Sequence, residues 1–95
     1  MAYDDPREIK IRIKEGSYTL IHDWFGDHYR KVDSITETDD EGSKVNYDIV
    51  VVRTSEFMMV HWALQYGTAV EIMDEDIREK VREELKRMEK RYGMH

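Results

Sequence analysis

Residues 44–52 have the sequence KVNYDIVVV. One face of this run is apolar at alternate positions, namely Val45, Tyr47, Ile49 and Val51. A period of two is the pattern of a β-strand. The opposite face is also apolar near the end of the run, at Val50 and Val52. Because strands that are apolar on both faces are typical of a sheet interior, we expect a central strand here.

Three further strands are predicted around this one. Residues 9–14 alternate isoleucine with a cation, which indicates a half-buried strand. Residues 30–38 are mostly polar, as an edge strand would be. Residues 68–73 form a short strand with Val70 and Ile72 on its inner face.

Helical spacing predicts three helices. The first follows Ser17 and has its marker positions at Tyr18, Ile21, Trp24, Phe25 and His28. The second is capped by Thr54 or Ser55 and runs through Tyr66, with Gly67 as the stop that follows it. Its buried stripe is predicted at Phe57, Val60, Ala63 and Leu64, widened by Met58 and Trp62. The last helix starts near residues 74–76 and ends at about Tyr92, before Gly93.

The order of elements is therefore β-α-β-β-α-β-α. Its first six elements form two β-α-β halves, the ferredoxin-like split pattern. Right-handed crossovers place both helices of these halves on one face of a four-stranded antiparallel sheet. We predict an α+β fold: a ferredoxin-like β-α-β-β-α-β two-layer sandwich with an antiparallel sheet and an additional C-terminal helix. Residues 1–7 are expected to be a flexible lead-in, and residues 8–95 a single ferredoxin-like domain.

Composition limits the classes of function. The 95 residues match one domain, and the absence of cysteine excludes disulfides, thiol catalysis and cysteine-ligated zinc. No apolar run approaches ~18 residues, so we expect no membrane span. A net charge of −6 is unfavourable for binding the backbone of duplex DNA. The N-terminus lacks the basic-then-apolar order of a signal peptide, and we expect a cytoplasmic protein without duplex DNA or membrane partners.

The strongest candidate for ligand binding is a row of cations on the first strand. Lys10, Arg12 and Lys14 point the same way, on the face of the sheet that the paired helices leave open. Such a row can receive a phosphate or an acidic partner segment. The alternative is a solvated face, neutralised by acidic residues of neighbouring strands such as Asp48 and Glu71. Few aromatic residues lie on the predicted strands, which disfavours a single-stranded nucleic-acid platform.

The last helix is the strongest candidate for an interface. Five apolar residues form one stripe at helical spacing, namely Ile77, Val81, Leu85, Met88 and Tyr92. This helix is additional to the minimal fold, so its stripe must be buried by something else. It packs either on its own domain or on a neighbouring subunit, and the sequence leaves both open. A homodimer, or a partner domain of the same chain, is the expected partner.

No catalytic, metal or cofactor site is predicted. The histidines are His22, His28, His61 and His95, and the first two are six residues apart, so they do not share a helix face as two ligands would. No nucleophile motif, glycine-rich phosphate loop or calcium-loop spacing is present. His61 is expected to be partly buried and hydrogen-bonded. A second possible ligand pocket, for which core packing is the ordinary interpretation, comprises Trp24, Phe25, Met58, Met59 and Trp62.

Several motifs together point to a family. They are the strand VNYDIVVV at 45–52, the helix end WALQYG at 62–67, the strand AVEIM at 69–73, and DIREKV at 76–81, which opens a charged helix closing on Tyr92. In these features, and in its isoleucine-rich first strand and aromatic first helix, nearly the whole chain resembles the C-terminal extension (WCX) domain of bacterial WYL-domain transcriptional regulators. One departure is Asp74, where the family commonly has proline.

The resemblance implies a regulatory role. In such regulators an N-terminal winged helix-turn-helix binds DNA, a WYL domain senses a ligand, and the WCX domain helps to assemble the dimer or completes the sensing surface. The chain is then a non-catalytic regulatory and dimerisation module that contributes to ligand or nucleotide sensing. Two alternatives remain open: a stand-alone small-molecule-binding ferredoxin-like regulatory domain, and a small enzyme of the same architecture.

Overall fold

The computed structural model describes residues 5–93. Its elements follow the predicted order: β1 Arg7–Lys14, α1 Tyr18–Phe25, β2 Tyr29–Thr38, β3 Lys44–Thr54, α2 Glu56–Tyr66, β4 Val70–Ile72 and α3 Glu75–Tyr92. A short 3-10 turn, Gly67–Ala69, joins α2 to β4. Of the predicted lead-in 1–7, residues 1–4 lie outside the described residues, as does His95.

The four strands form one antiparallel sheet in the order β2-β3-β1-β4. β3 lies in the sheet interior, as its two apolar faces predict, and β2 is an edge strand, as its polar sequence predicts. Ile11 of β1 pairs with Val50 on one side and with Ile72 on the other. The fold is therefore α+β, with a four-stranded antiparallel sheet and three helices.

A β-bulge interrupts the edge strand β2. The register shifts between Lys31 and Asp33, which leaves Val32 as the extra residue. Lys31 is opposite Val50, whereas Asp33 is opposite Ile49. Since paired residues point to the same face of a sheet, the bulge places Lys31 and Asp33 on opposite faces, although they are two residues apart.

Helices α1 and α2 cover one face of this sheet and form the core with it. The buried sheet residues of the core are Ile9, Ile11, Ile13, Val50, Val52, Val70 and Ile72. The fully buried Trp62 of α2 joins the two helices: its Nε1–H donates to the carbonyl oxygen of Leu20 at 2.9 Å. Its ring also meets that of Phe25 edge-on, with centroids 5.3 Å apart. Phe25, Met59 and Trp62 are thus core residues, as the ordinary interpretation of the aromatic and methionine set expects.

The predicted buried stripe of α2 is partly wrong. Met59 and Trp62 point into the core with Val60 and Ala63, whereas Phe57 and Met58 are exposed. The hydrogen bond of Trp62 to α1 fixes the rotation of α2, and this rotation turns Phe57 away from the sheet. The predicted start of the helix is confirmed, because the Ser55 side chain accepts a hydrogen bond from the Met58 N–H at 3.1 Å.

The first turns of α3 dock on the domain, and its later turns do not. Ile77 is fully buried, and Val81 packs on the core from the side. Arg7 donates to Glu56 of α2 at 2.8 Å and to Asp76 of α3 at 2.7 Å, so one guanidinium ties β1, α2 and α3 together. The helix then runs to Gly93, which ends it in the left-handed conformation that glycine allows. The radius of gyration, 14.4 Å, exceeds the about 12 Å expected for a compact domain of this length.

Candidate functional site

The face of the sheet opposite α1 and α2 is called the open face. Strand pairing assigns to it the following side chains: Glu8, Lys10, Arg12 and Lys14 of β1; Arg30, Asp33, Ile35 and Glu37 of β2; Val45, Tyr47, Ile49, Val51 and Arg53 of β3; and Glu71 of β4. Most of its charged side chains are exposed to solvent. The predicted row Lys10, Arg12 and Lys14 does lie together on this face.

The three cations of the row differ in their surroundings. The guanidinium of Arg12 contacts Glu37 at 2.7 Å and Glu71 at 2.9 Å, and it lies 4.4 Å from the centre of the Tyr47 ring. Among residues 5–93, no carboxylate lies within 4.0 Å of the ammonium groups of Lys10 or Lys14. Arg12 is therefore neutralised within the domain, while the two lysines that flank it keep their charge available.

The predicted neutralising role of Asp48 is wrong. Asp48 is opposite Ile13 in the β1–β3 register, so it points to the helix-covered face and away from the cation row. Asp48 is buried, with 2% of the residue exposed. Glu71 does neutralise Arg12, as the solvated-face alternative expected. Glu37 makes the second ion pair with Arg12, and sequence reasoning missed it because the pairing of β2 with β3 was not known.

An apolar floor lies beneath the charges of the open face. Ile49 and Val51 are buried, although both point away from α1 and α2. Arg12 and Lys10 are their direct partners on β1. Long cationic side chains commonly lay their methylene groups on apolar surface and keep the charged end in water. The open face therefore presents cationic groups to solvent above a layer of apolar side chains.

On the other face, Asp48 is the centre of a small buried polar cluster. The Tyr18 hydroxyl donates to Asp48 Oδ2 at 2.6 Å, and the Tyr18 ring stacks on that of Tyr29 with centroids 5.6 Å apart. Asp48 Oδ1 is buried and accepts no hydrogen bond within the part of the chain that the structure describes. The half-exposed Lys31 ammonium lies 3.5 Å from this oxygen. An aspartate inside an apolar strand was the one sequence signal for this cluster.

The cluster makes stability depend on pH above 10. Burial, followed by the hydrogen bond to Asp48, raises the pKa of Tyr18 above its ordinary value near 10. A raised pKa stabilises the fold fully below the unfolded-state value, and the contribution falls as pH rises from about 10 towards the folded-state value.

Tyr18→Phe is therefore expected to be less stable than the wild type at neutral pH, because Asp48 Oδ2 loses its donor, at a cost of about 1–3 kcal/mol. The difference should narrow above about pH 10. Urea unfolding midpoints measured from pH 7 to 11 test this. Tyr47→Phe on the open face is the control, and a difference between Tyr18→Phe and the wild type that stays constant through pH 11 would contradict the coupling.

The predicted interface stripe of α3 divides into two parts. Ile77 and Val81 pack within the domain, whereas Leu85, Met88 and Tyr92 are 50%, 38% and 70% exposed. We call the last three residues the distal stripe. Leu85 lies on a turn of α3 that stands beside α2, Met88 and Tyr92 follow it towards the end of the helix, and none of the three is buried by residues 5–93. This surface is apolar, helical and unpartnered.

A groove separates α2 from α3. Phe57 and His61 stand on its α2 side with ring centroids 4.2 Å apart, and Lys80, Glu83, Glu84 and Arg87 line its α3 side. His61 Nδ1 is 2.9 Å from the carbonyl oxygen of Phe57. The expected hydrogen bond of His61 is thus present, but the side chain is exposed rather than partly buried, because it shares the outward rotation of Phe57.

Residues 5–93 contain no group of three or more His, Asp or Glu side chains placed to hold a metal ion. No helix formed by these residues has the length and apolar character needed to cross a membrane.

The fold and its surfaces define a small α+β domain with one helix-covered sheet face, one open face and a projecting helix. A family model described as the WCX domain matches residues 5–88. The chain therefore belongs to the WCX domain family, as its motifs predicted, and this places it among domains associated with WYL-type regulators. No curated protein and no solved structure matches the chain.

Proposed function

We propose that the chain is a non-catalytic, cytoplasmic regulatory module of a WYL-type transcriptional regulator, and that it assembles a homodimer through α3. Membership of the WCX family supports the regulatory role. The observation that carries the assembly role is the distal stripe, because an exposed row of large apolar side chains on one helix marks a protein interface. Duplex DNA is bound elsewhere in such a regulator, since this chain has a net charge of −6.

The distal stripe is complementary to itself. When two copies of α3 run antiparallel about a two-fold axis between Leu85 and Met88, Leu85 lies level with Met88 of the partner subunit. At the same register Val81 lies level with Tyr92 of the partner subunit. Glu84 and Arg91 flank the stripe on one side, and Glu84 then lies within one turn of Arg91 of the partner subunit, which places opposite charges beside the apolar seam. A parallel pair would place each charge beside its own copy.

We also propose that the domain has the ferredoxin-like fold. A β-α-β-β-α-β chain order, an antiparallel sheet in the order β2-β3-β1-β4 and both crossover helices on one face support a ferredoxin-like split β-α-β domain. In this assignment α3 is an addition to the minimal unit. Its main role is then to present the distal stripe rather than to complete the core.

A sensing role is the second part of the proposal. The open face offers Lys10 and Lys14 without an ion-pair partner among residues 5–93, over an apolar floor. This favours an anionic small-molecule ligand, and the same observation supports the alternative function, a stand-alone small-molecule-binding regulatory domain. The two functions differ in assembly: the regulator module needs the α3 interface, whereas the stand-alone domain needs only the open face.

Leu85→Asp tests the assembly role. Leu85 is half-exposed in the single domain, so the variant should fold. Two buried aspartates would face the seam of the dimer, and we expect the dissociation constant to rise at least tenfold, a change of about 1.4 kcal/mol. Light scattering after size-exclusion chromatography, over a range of concentrations, measures the mass of the species directly.

Met58→Asp is the matched control. Met58 and Met88 are equally exposed, at 38%, but Met58 lies on α2 and outside the distal stripe. We expect Leu85→Asp and Met88→Asp to be monomeric at concentrations where Met58→Asp and the wild type are dimeric. If the wild type is monomeric at all concentrations, or if Met58→Asp dissociates it equally, the assembly role of the distal stripe is wrong.

A further inference from the structure

A hollow of about 190 Å³ lies at one corner of the open face, where β1 begins and β3 ends. Its walls are formed by Glu8, His28, Tyr29, Arg30, Val51 and Arg53. Strand pairing explains why they converge: Arg30 is opposite Val51, and Glu8 is opposite Arg53. The Arg53 N–H also donates to the carbonyl oxygen of His28 at 3.0 Å. Two guanidinium groups and an imidazole thus surround the apolar Val51.

The two arginines are in different electrostatic states. Arg30 donates two hydrogen bonds to Glu8, from Nη1 to Oε2 at 3.0 Å and from Nη2 to Oε1 at 3.3 Å. This hydrogen bonding holds the pKa of Glu8 below its ordinary value, so Glu8 stays ionised and Arg30 stays oriented. Arg53 has no carboxylate within 4.0 Å in the described part of the chain. Arg30 is therefore paired with Glu8 at the surface, while Arg53 has no ion-pair partner among residues 5–93 and keeps its donors available.

The surroundings add positive charge to this corner. Lys10 follows Glu8 on the open face of β1, and no carboxylate of residues 5–93 lies within ion-pair distance of it either. Arg53, Lys10 and the Arg30–Glu8 pair together leave an excess of two positive charges, in a chain whose net charge is −6. A local positive region in an acidic protein concentrates small anions at that point.

We propose that this corner hollow binds the phosphate group of a small molecule, with Arg53 as its principal ligand and Arg30 and His28 completing the donor set. A guanidinium presents a planar fork of N–H donors that matches the oxygens of a phosphate. Two unpaired cations favour a dianion over a singly charged carboxylate. The inference rests on the proposed sensing role of the open face and moves its anion site from the middle of β1 to this corner.

Amide chemical-shift titration of the ¹⁵N-labelled chain tests the proposal. The probes are inorganic phosphate and a nucleoside monophosphate, each compared with sodium chloride at the same ionic strength. We expect saturable shifts at residues 28–30 and 51–53, and about tenfold weaker binding in Arg53→Gln. Arg91→Gln is the matched control, because Arg91 is also an exposed arginine without an ion-pair partner among residues 5–93.

The outcomes separate this inference from the wider sensing role. Binding that weakens about tenfold in Arg53→Gln and is unchanged in Arg91→Gln supports the phosphate site. Additional shifts along β1 with the nucleotide alone identify an ester as the better ligand. Shifts no larger than those in sodium chloride overturn it. Binding that keeps its full affinity in Arg53→Gln but is lost in the triple variant Lys10→Glu, Arg12→Glu, Lys14→Glu overturns the corner site and retains the sensing role.

Discussion

Trp62→Ala is expected to lower the free energy of unfolding by about 3–5 kcal/mol, a large part of the stability of a domain this size. Trp62 is fully buried between α1, α2 and the sheet. Its removal leaves a cavity, breaks the edge-on contact with Phe25 and deprives the Leu20 carbonyl of its donor. Urea unfolding followed by far-ultraviolet circular dichroism measures the change without relying on tryptophan fluorescence.

Two control variants show which contacts of Trp62 account for the loss of stability in Trp62→Ala. Trp24→Ala removes the other tryptophan, which is only partly buried beside the core, and should cost clearly less. Trp62→Phe keeps a ring in the core but loses the hydrogen bond to Leu20, at an expected cost of about 1 kcal/mol beyond the change in volume. If Trp62→Ala lowered the free energy of unfolding no more than Trp24→Ala, the contacts of Trp62 would not hold α1 and α2 together.

Lys31→Met is expected to lower the free energy of unfolding by about 2 kcal/mol, more than most surface lysine substitutions. The ammonium of Lys31 is the cation 3.5 Å from Asp48 Oδ1, an oxygen that accepts no hydrogen bond in the described residues. Because Asp48 is buried and Lys31 is half-exposed, removing Lys31 leaves a buried charge without its counter-ion, so the loss should exceed that of an ion pair exposed on both sides. Lys44→Met on β3 is a control, since Lys44 is exposed.

A double-variant cycle identifies the cause of that loss. Asp48→Leu removes the carboxylate that Lys31 compensates, so Lys31→Met should cost little in the Asp48→Leu background. Chemical denaturation of the four proteins gives the coupling free energy directly. Equal costs in both backgrounds would show that Lys31 stabilises the fold by packing alone and that the buried carboxylate does not depend on it.

Local patterns along single strands and helices were sufficient for much of the fold. The alternation in residues 9–14 predicted β1, and the two apolar faces of 44–52 predicted the interior position of β3. The end of α3 at Gly93 also followed from the sequence. These features are local, because a period of two or 3.6 residues is set by backbone geometry before any tertiary contact forms.

The features that the sequence did not predict depend on the register in which the strands pair. The face of Asp48 follows from its pairing with Ile13, and the Arg12–Glu37 ion pair joins β1 to β2 across β3. The bulge at Val32 adds one residue to β2, so a strict alternation along that strand assigns half of it to the wrong face. The corner hollow likewise combines three segments of the chain, and its arginines are 23 residues apart in sequence.

The projecting part of α3 acts mechanically as a lever arm. From Ile77 to Tyr92 the helix spans about 22 Å, and its anchor is confined to the first turns, where Ile77 is buried and Arg7 holds Asp76. A tilt of about 10° at this anchor moves Tyr92 by about 4 Å. Small displacements at the junction of β1, α2 and α3 are therefore magnified at the tip of the helix, where the distal stripe ends.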